Sequence, residues 1–241
     1  MKQVLSLSLI ALLSISCTAQ WGKKIKGNGK SVNIERSVGE YDAIGVSGWF
    51  DVYLVDGNEG NLSLEGEENL LEYLVTEVKN GKLIIKVEKG YQLKPSNWDK
   101  GIRITVPVAS IDEVTLSGSG DIVGEKTLKS DRFRTSMSGS GDITLTVETN
   151  EMEASMSGSG DITLSGQTDN FDVSVSGSGD VKAYDLEASK VDATVSGSAD
   201  IKITVNKMLR ARVSGSGDIS YRGNPEKVDT KTSGSGDISK G

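Results

Sequence analysis

A chain of 241 residues has room for one large or two small domains, and its 36% hydrophobic content is modest because 29 residues are glycine. A net charge of -7 opposes binding to polyanions and argues against nucleic acid as a partner. With no histidine, a Ser-His-Asp triad, a Cys-His dyad and His-ligated zinc are all excluded, and a single cysteine leaves no disulfide.

Residues 1–19 read as an export signal: Lys2, an apolar run from Val4 to Leu13 interrupted by serines, then small residues around Cys17. The run is too short to anchor the chain across a bilayer. Two processing outcomes compete. Ser14-Ile15-Ser16-Cys17 resembles a bacterial lipoprotein box, with Ser14 where Leu is usual, and lipidation of Cys17 would tether the mature protein to a membrane. Cleavage after Ala19 would instead leave Gln20 as a soluble amino terminus. Either outcome sends the protein to the cell envelope, in the periplasm or at the outer membrane. Residues 20–37, which carry Lys23, Lys24, Lys26 and Lys30, read as a basic leader or linker. It is a solvated tail or, if Cys17 is lipidated, a segment drawn to anionic headgroups.

Strand-like alternation begins at Val32 and Ile34. Tyr41, Ile44 and Val46 then lead into Ser47-Gly48-Trp49-Phe50-Asp51-Val52, a degenerate copy of a motif that dominates the second half of the chain. Trp49 and Phe50 suit the covering of an open solenoid end, a reading preferred to an exposed aromatic binding site. Further strands are expected at Asn61 to Leu64, Leu83 to Val87 and Ile102 to Val106, with Asn80-Gly81 as a turn. Leu70, Leu71, Leu74 and Val75 suit either a short amphipathic helix or another strand. The 70 residues from Asp51 to Asp121 leave room for about three and a half coils. Tyr91 to Lys100, which contains Pro95, reads as a protruding loop and offers Tyr91, Trp98 and Asp99 as candidate recognition residues.

From Leu116 onward the chain is a repeat. Ser-Gly-Ser-Gly-Asp closes at Asp121, Asp142, Asp161, Asp180, Asp200, Asp218 and Asp237, at spacings of 21, 19, 19, 20, 18 and 19, and only Ala199 breaks the glycine pattern. Asp51 closes the degenerate first copy. Five residues before each repeat aspartate stand Leu116, Met137, Met156, Val175, Val195, Val213 and Thr232, and one residue after it an Ile or Val. A further set reads Phe133, Met152, Phe171, Val191, Leu209 and Val228. Apolar residues alternate with polar ones between the sets, which is the period of a strand with one buried face. The fold class that follows is all-β: a single-domain parallel β-helix over residues 38–241, right-handed by the usual rule for parallel crossovers, with coils of 18 to 21 residues. Because the count from the Ile or Val after each aspartate to the next member of the Phe133 set varies, one corner is fixed in length and the other is not.

Stacking puts the aspartates ~4.8 Å apart. The repulsion per neighbouring pair is ~0.9 kcal/mol in water and ~3.5 kcal/mol at an effective dielectric of 20. Serine hydroxyls and turn amides can relieve it. Ca²⁺-binding β-rolls have a nine-residue period and more ligands per turn than this motif offers, so no metal is expected.

The export signal, Tyr41, Ile44, Val46, Gly48, Phe50, Asp51, Val52, Leu54 and Gly57, then Gly81-Lys82-Leu83-Ile84-Ile85 and the serial Ser-Gly-Ser-Gly-Asp, together resemble the bacterial envelope family described as putative auto-transporter adhesin, head GIN domain. The resemblance spans about residues 38 to 220 and implies an exported, β-helix-like domain from a Bacteroidetes-type bacterium, with no catalytic residues. A Gly-Ile-Asn tripeptide is absent, and Gly-Asp-Ile holds the recurrent position.

The expected function is therefore non-enzymatic, without cofactor: an envelope interaction protein whose polar surface meets a glycan, cell-wall polymer or surface protein. A stalk without ligand and a carboxylate-based polysaccharide-active enzyme are the alternatives. Repetition argues against the enzyme, since a catalytic pair needs unequal carboxylates and the repeat makes them alike. The last coil, ending without an obvious cap, is expected either to self-associate or to be shielded by Lys240 and the amino-terminal region.

Overall fold

The structure, a computed structural model, describes residues 22–98 and 101–241. Cys17, both processing sites and Asp99 lie outside the described residues.

The amino-terminal part, to residue 108, holds β1 (Lys23–Lys26), β2 (Ser31–Ser37), β3 (Ala43–Gly48), β4 (Asp51–Asp56), β5 (Asn61–Glu67), α1 (Glu68–Leu71), β6 (Leu74–Lys79), β7 (Lys82–Val87), β8 (Tyr91–Lys94) and β9 (Arg103–Val108). The degenerate motif joins β3 to β4. On one side these strands lie parallel to β7 and β9, and on the other they meet the first regular repeat. The 70 residues after Asp51 thus add one level of coil rather than three and a half. The remainder runs the other way: β5 is antiparallel to β2 and β9, and β6 to β7. Asn80 (φ 50°) and Gly81 (φ 76°) make the reversal, because two successive left-handed residues give the tight hairpin turn that Asn-Gly favours. Leu70 and Leu71 of α1 and Leu74 of β6 are buried, so the helix and strand readings of this stretch each hold for part of it.

This antiparallel layer, with α1, covers the amino-terminal end of the solenoid. Trp49 and Phe50 do not form the end cap: they sit in the level beneath the outermost one, where Phe50 is fully buried. The described part of the basic leader is strand rather than solvated tail. β1 pairs in parallel with β8, and Ile25, Val32 and Ile34 pack against the core. Glu67 fastens the segment, its buried carboxylate accepting the amides of Gly29 and, at 2.7 Å, Ser96. Arg36 donates to the carbonyls of Leu71 and Leu74, satisfying the end of α1. The expected loop at Tyr91 to Lys100 is a strand in its first half, with Leu93 and Pro95 buried, because the pairing with β1 gives its apolar residues an interior to face.

From residue 113 the coil is regular, with about seven turns of about 19 residues. The strands are β10 (Glu113–Gly118), β11 (Ile122–Lys129), β12 (Arg132–Gly139), β13 (Ile143–Gly158), β14 (Ile162–Gly177), β15 (Val181–Gly197), β16 (Ile201–Gly215), β17 (Ile219–Arg222), β18 (Lys227–Gly234) and β19 (Ile238–Lys240). β10 to β17 each pair in parallel with the equivalent strand one turn on, in register except at four shifts. The register Leu116, Met137, Met156, Val175, Val195, Val213 is one interior column that ends at exposed Thr232, and it continues backward through Val46 to Ile85. Met137, Met156 and Val175 are at most 3% exposed. A second column of Val52, Ile122, Ile143, Ile162, Val181, Ile201 and Ile219 is also buried. Burial of each such side chain contributes about 1.5–3 kcal/mol, and their alignment makes one continuous core. Register shifts fall between Val123 and Thr127, Thr163 and Ser165, Ala183 and Glu187, and Ala188 and Lys190. All lie between the Ile or Val after the aspartate and the next member of the Phe133 set, so the length variation is absorbed there and the Ser-Gly corner stays constant.

Candidate binding surface

A glycine conformation and two sets of hydrogen bonds build the fixed corner. The first glycine of each motif has positive φ, as in Gly139 at 141° and Gly197 at 131°, and a side chain there would collide with the carbonyl oxygen of the glycine one turn back. The serine that follows donates its amide to that same carbonyl, at 2.8 Å from Ser140 to Gly118 and 2.9 Å from Ser159 to Gly139. Each aspartate then accepts, through Oδ1, the amide of the aspartate in the next turn. The series runs without a gap from Asp51 to Asp237, at 3.3 Å from Asp121 to Asp51, 3.0 Å from Asp142 to Asp121 and 2.7 Å from Asp237 to Asp218.

This series resolves the stacking repulsion, since one oxygen of every carboxylate but the last faces an amide dipole rather than a like charge. The rungs are not equivalent. Burial raises Asp51, whose amide contact is the longest, and the Asp121 charge adds to the rise. Burial also opposes ionisation of Asp161, but the Lys182 ammonium 2.5 Å away and the Asp180 amide outweigh it and hold that carboxyl below the usual range. Among the described residues no group of three or more His, Cys, Asp or Glu is arranged to hold a metal ion.

At the amino-terminal head of this corner stands an aromatic pair. Gly48 is in register with Gly118, which puts Trp49 one level above Ser119. Trp98 meets the Trp49 ring edge-on, with centroids 5.2 Å apart and planes at 65°, and Trp98 remains 60% exposed. On the paired strands β4 and β9, Arg103 of β9 lies over the Tyr53 ring of β4 at 4.3 Å, and Asp51 is in register with Arg103. Of the sequence candidates, Trp98 is thus part of a cluster. Tyr91 is not in it, since its ring packs 4.5 Å from Tyr73 beside β8. For Trp49 the sequence favours a capping role over an exposed aromatic binding site, and no local signal links it to a partner 49 positions away.

A family model for putative auto-transporter adhesin, head GIN domain, matches residues 40–225. The chain belongs to this family. Among solved structures, a putative adhesin from Bacteroides fragilis is similar at 23% identity and a TM-score of 0.82, over 90% of this chain and 99% of that one. A putative lipid binding protein from Parabacteroides distasonis is 30% identical with a TM-score of 0.73, over 91% of this chain and 100% of that one. A putative adhesin from Parabacteroides merdae gives 21% and 0.73, over 91% and 99%. No protein of curated function matches the chain.

On its flat outer face this head GIN domain carries rungs of opposite charge between successive turns. Arg132 pairs with Glu151, Arg134 with Glu153, Arg210 with Asp192, and Arg212 with Asp229 at 2.6 Å. Grooves of about 400 Å³ and about 260 Å³ run between these rows. At their centre Asp172 is pushed up by burial and by the charges of Asp192 and Glu153. Each exposed ion pair contributes about 0.2–1 kcal/mol, so the rungs favour alignment of turns without dominating stability. Among the described residues, no helix is long and apolar enough to cross a membrane.

Proposed function

We propose that this head GIN domain is a non-enzymatic binding protein of the cell envelope that recognises a glycan or cell-wall polymer. The pair of Trp98 and Trp49 carries this reading. Exposed indole faces are the groups that stack on sugar C–H surfaces, and here one is held rigid by the other at the end of a straight row of Ser and Asp side chains suited to hydroxyl contacts. The adhesin family fits a surface role, and residues 1–19 supply the export signal that such a role needs.

The test is binding of the mature chain to a glycan array and to envelope polymer, compared with Trp98→Ala. Because Trp98 is largely exposed, its removal should leave the melting temperature unchanged and weaken binding at least tenfold, the order of a hot-spot aromatic. Equal binding by both proteins would remove the aromatic site from consideration. Release of reducing ends or unsaturated sugars would instead establish the carboxylate enzyme.

A second reading, contact with anionic lipid, rests on β1 and β8. Exposed Lys26 is in register with exposed Lys94, a like-charge pairing that destabilises a sheet unless an anion lies over it. The Parabacteroides distasonis relative described as lipid binding is consistent with it. Sedimentation with anionic but not zwitterionic vesicles, lost in Lys26→Gln/Lys94→Gln, distinguishes this from the glycan reading.

A further inference from the structure

The two ends of the solenoid are finished differently. The amino-terminal end is covered by β2, β5, β6 and α1, whereas β18 and β19 pair on one edge only. In β18 every residue is exposed, including Val228 at 47%, although Val228 belongs to the column that buries Phe171, Val191 and Leu209. Neither expected shield reaches it. Lys240 bonds Asn224 within its own coil at 2.7 Å, and the described leader is paired with β8 and β5 at the opposite end.

The polarity of the free edge follows from the ladder. The Arg134 amide donates backward to the Asp112 carbonyl, and Asp229 stands in the same column as Arg134. The backbone groups of Asp229 and Lys231 therefore point back to β16, and those of Val228, Thr230 and Thr232 point outward with no strand to meet them.

We propose that this edge pairs with a second copy of the chain, β18 against β18, antiparallel and centred on Thr230. A two-fold axis requires that pairing to be self-complementary, and strand length and charge together select the register, since centring on Val228 pairs Lys227 with Asp229 but leaves the rest of β18 beyond the partner strand. Centred on Thr230, Val228 faces Thr232 of the copy in hydrogen-bonded pairs on the inner side. On the outer side Asp229 faces Lys231 of the copy, twice by symmetry. Centring on Asp229 sets Asp229 against itself and Lys227 against Lys231. Centring on Lys231 sets that lysine against itself. Lys231 has no ion pair within its own chain among the described residues, while Asp229 is bridged to Arg212. The dimer carries its two Trp98 clusters at opposite ends and so has two sites facing away from each other.

Sedimentation velocity of the mature chain over a range of concentrations tests this. The expected result is a monomer–dimer equilibrium that stops at the dimer. Thr230→Pro removes only an outward-pointing amide and should give a monomer of unchanged circular dichroism. Lys231→Glu and Asp229→Lys should each raise the dissociation constant about tenfold or more, and mixing the two variants should restore the dimer as a heterodimer with both charge pairs matched. A strict monomer at the highest soluble concentration, an open series of oligomers, a dimer indifferent to Thr230→Pro, or a mixture that fails to recover would each overturn the proposal.

Discussion

At the repeated corner the first glycine and the aspartate have separable roles. Gly139 supplies a backbone conformation at φ 141° that an L side chain resists, and it also brings the turn within reach of the Gly118 carbonyl. The aspartate adds a bond between turns, with Asp161 N donating to Asp142 Oδ1 at 2.8 Å. Gly139→Ala should therefore lower stability by about 1–3 kcal/mol through backbone strain alone, and by more if the turn cannot move aside. Chemical denaturation of the variant beside wild type measures it. An equal midpoint would show that the corner tolerates a side chain, as it does at Ala199, which holds the position of the second glycine.

Among elements, the β1–β8 sheet depends most on a single side chain. Burial would raise Glu67, but the backbone amides of Ser96 and Gly29 and the Ser96 side chain together hold it below its ordinary value of 4.5. A carboxyl whose folded pKa is depressed stabilises the fold fully above its unfolded pKa, and that stabilisation is lost as pH falls through the folded value. Acidification below about pH 4.5 should thus release β1 and β8 before the regular turns, where the core is apolar. Hydrogen exchange at the amides of Ile25 and Gln92, which face each other's strand, reports it, and Glu67→Gln should cost the sheet about 1–3 kcal/mol at neutral pH. Protection unchanged by both treatments would show that β1 is held by its pairing alone.

These elements also separate what sequence reading can reach from what it cannot. Met137, Met156 and Val175 announce their column because a fixed turn length repeats it, and repetition makes a long-range contact visible as a local period. Asn80-Gly81 is legible for a different reason, since its turn type is dictated by two residues. The pairing of β5 with β2 and β9, and of β1 with β8, has no such signature: single strands without a repeat carry no mark of their partner. Glu67 as a buried fastener and Trp49 as the support for Trp98 follow from those pairings, so both emerge only with the tertiary structure. The packing of Tyr91 on Tyr73 is likewise unmarked in the sequence, because it follows from where β8 lies.

The molecule as a whole has a direction in stability as well as in sequence. In a stacked array each turn is stabilised by its two neighbours, so a turn with one neighbour is the first to open. The amino-terminal end is covered, and its outermost column residues Leu83 and Ile85 are fully buried. At the other end Val228 is half exposed and Thr230 and Thr232 replace the Ala and Val of earlier turns, which reduces the apolar area that the last turn contributes. In dilute, monomeric protein, native-state hydrogen exchange should therefore rise stepwise in protection from β18 and β19 through β16 to β14. The β14 amides should open only with global unfolding. Raising the concentration should then slow exchange selectively at Val228, Thr230 and Thr232, whose amides point toward the second copy. Uniform protection along the array would mean that the last turn is bound as tightly as the interior ones, and fraying from one end would no longer describe how this solenoid unfolds.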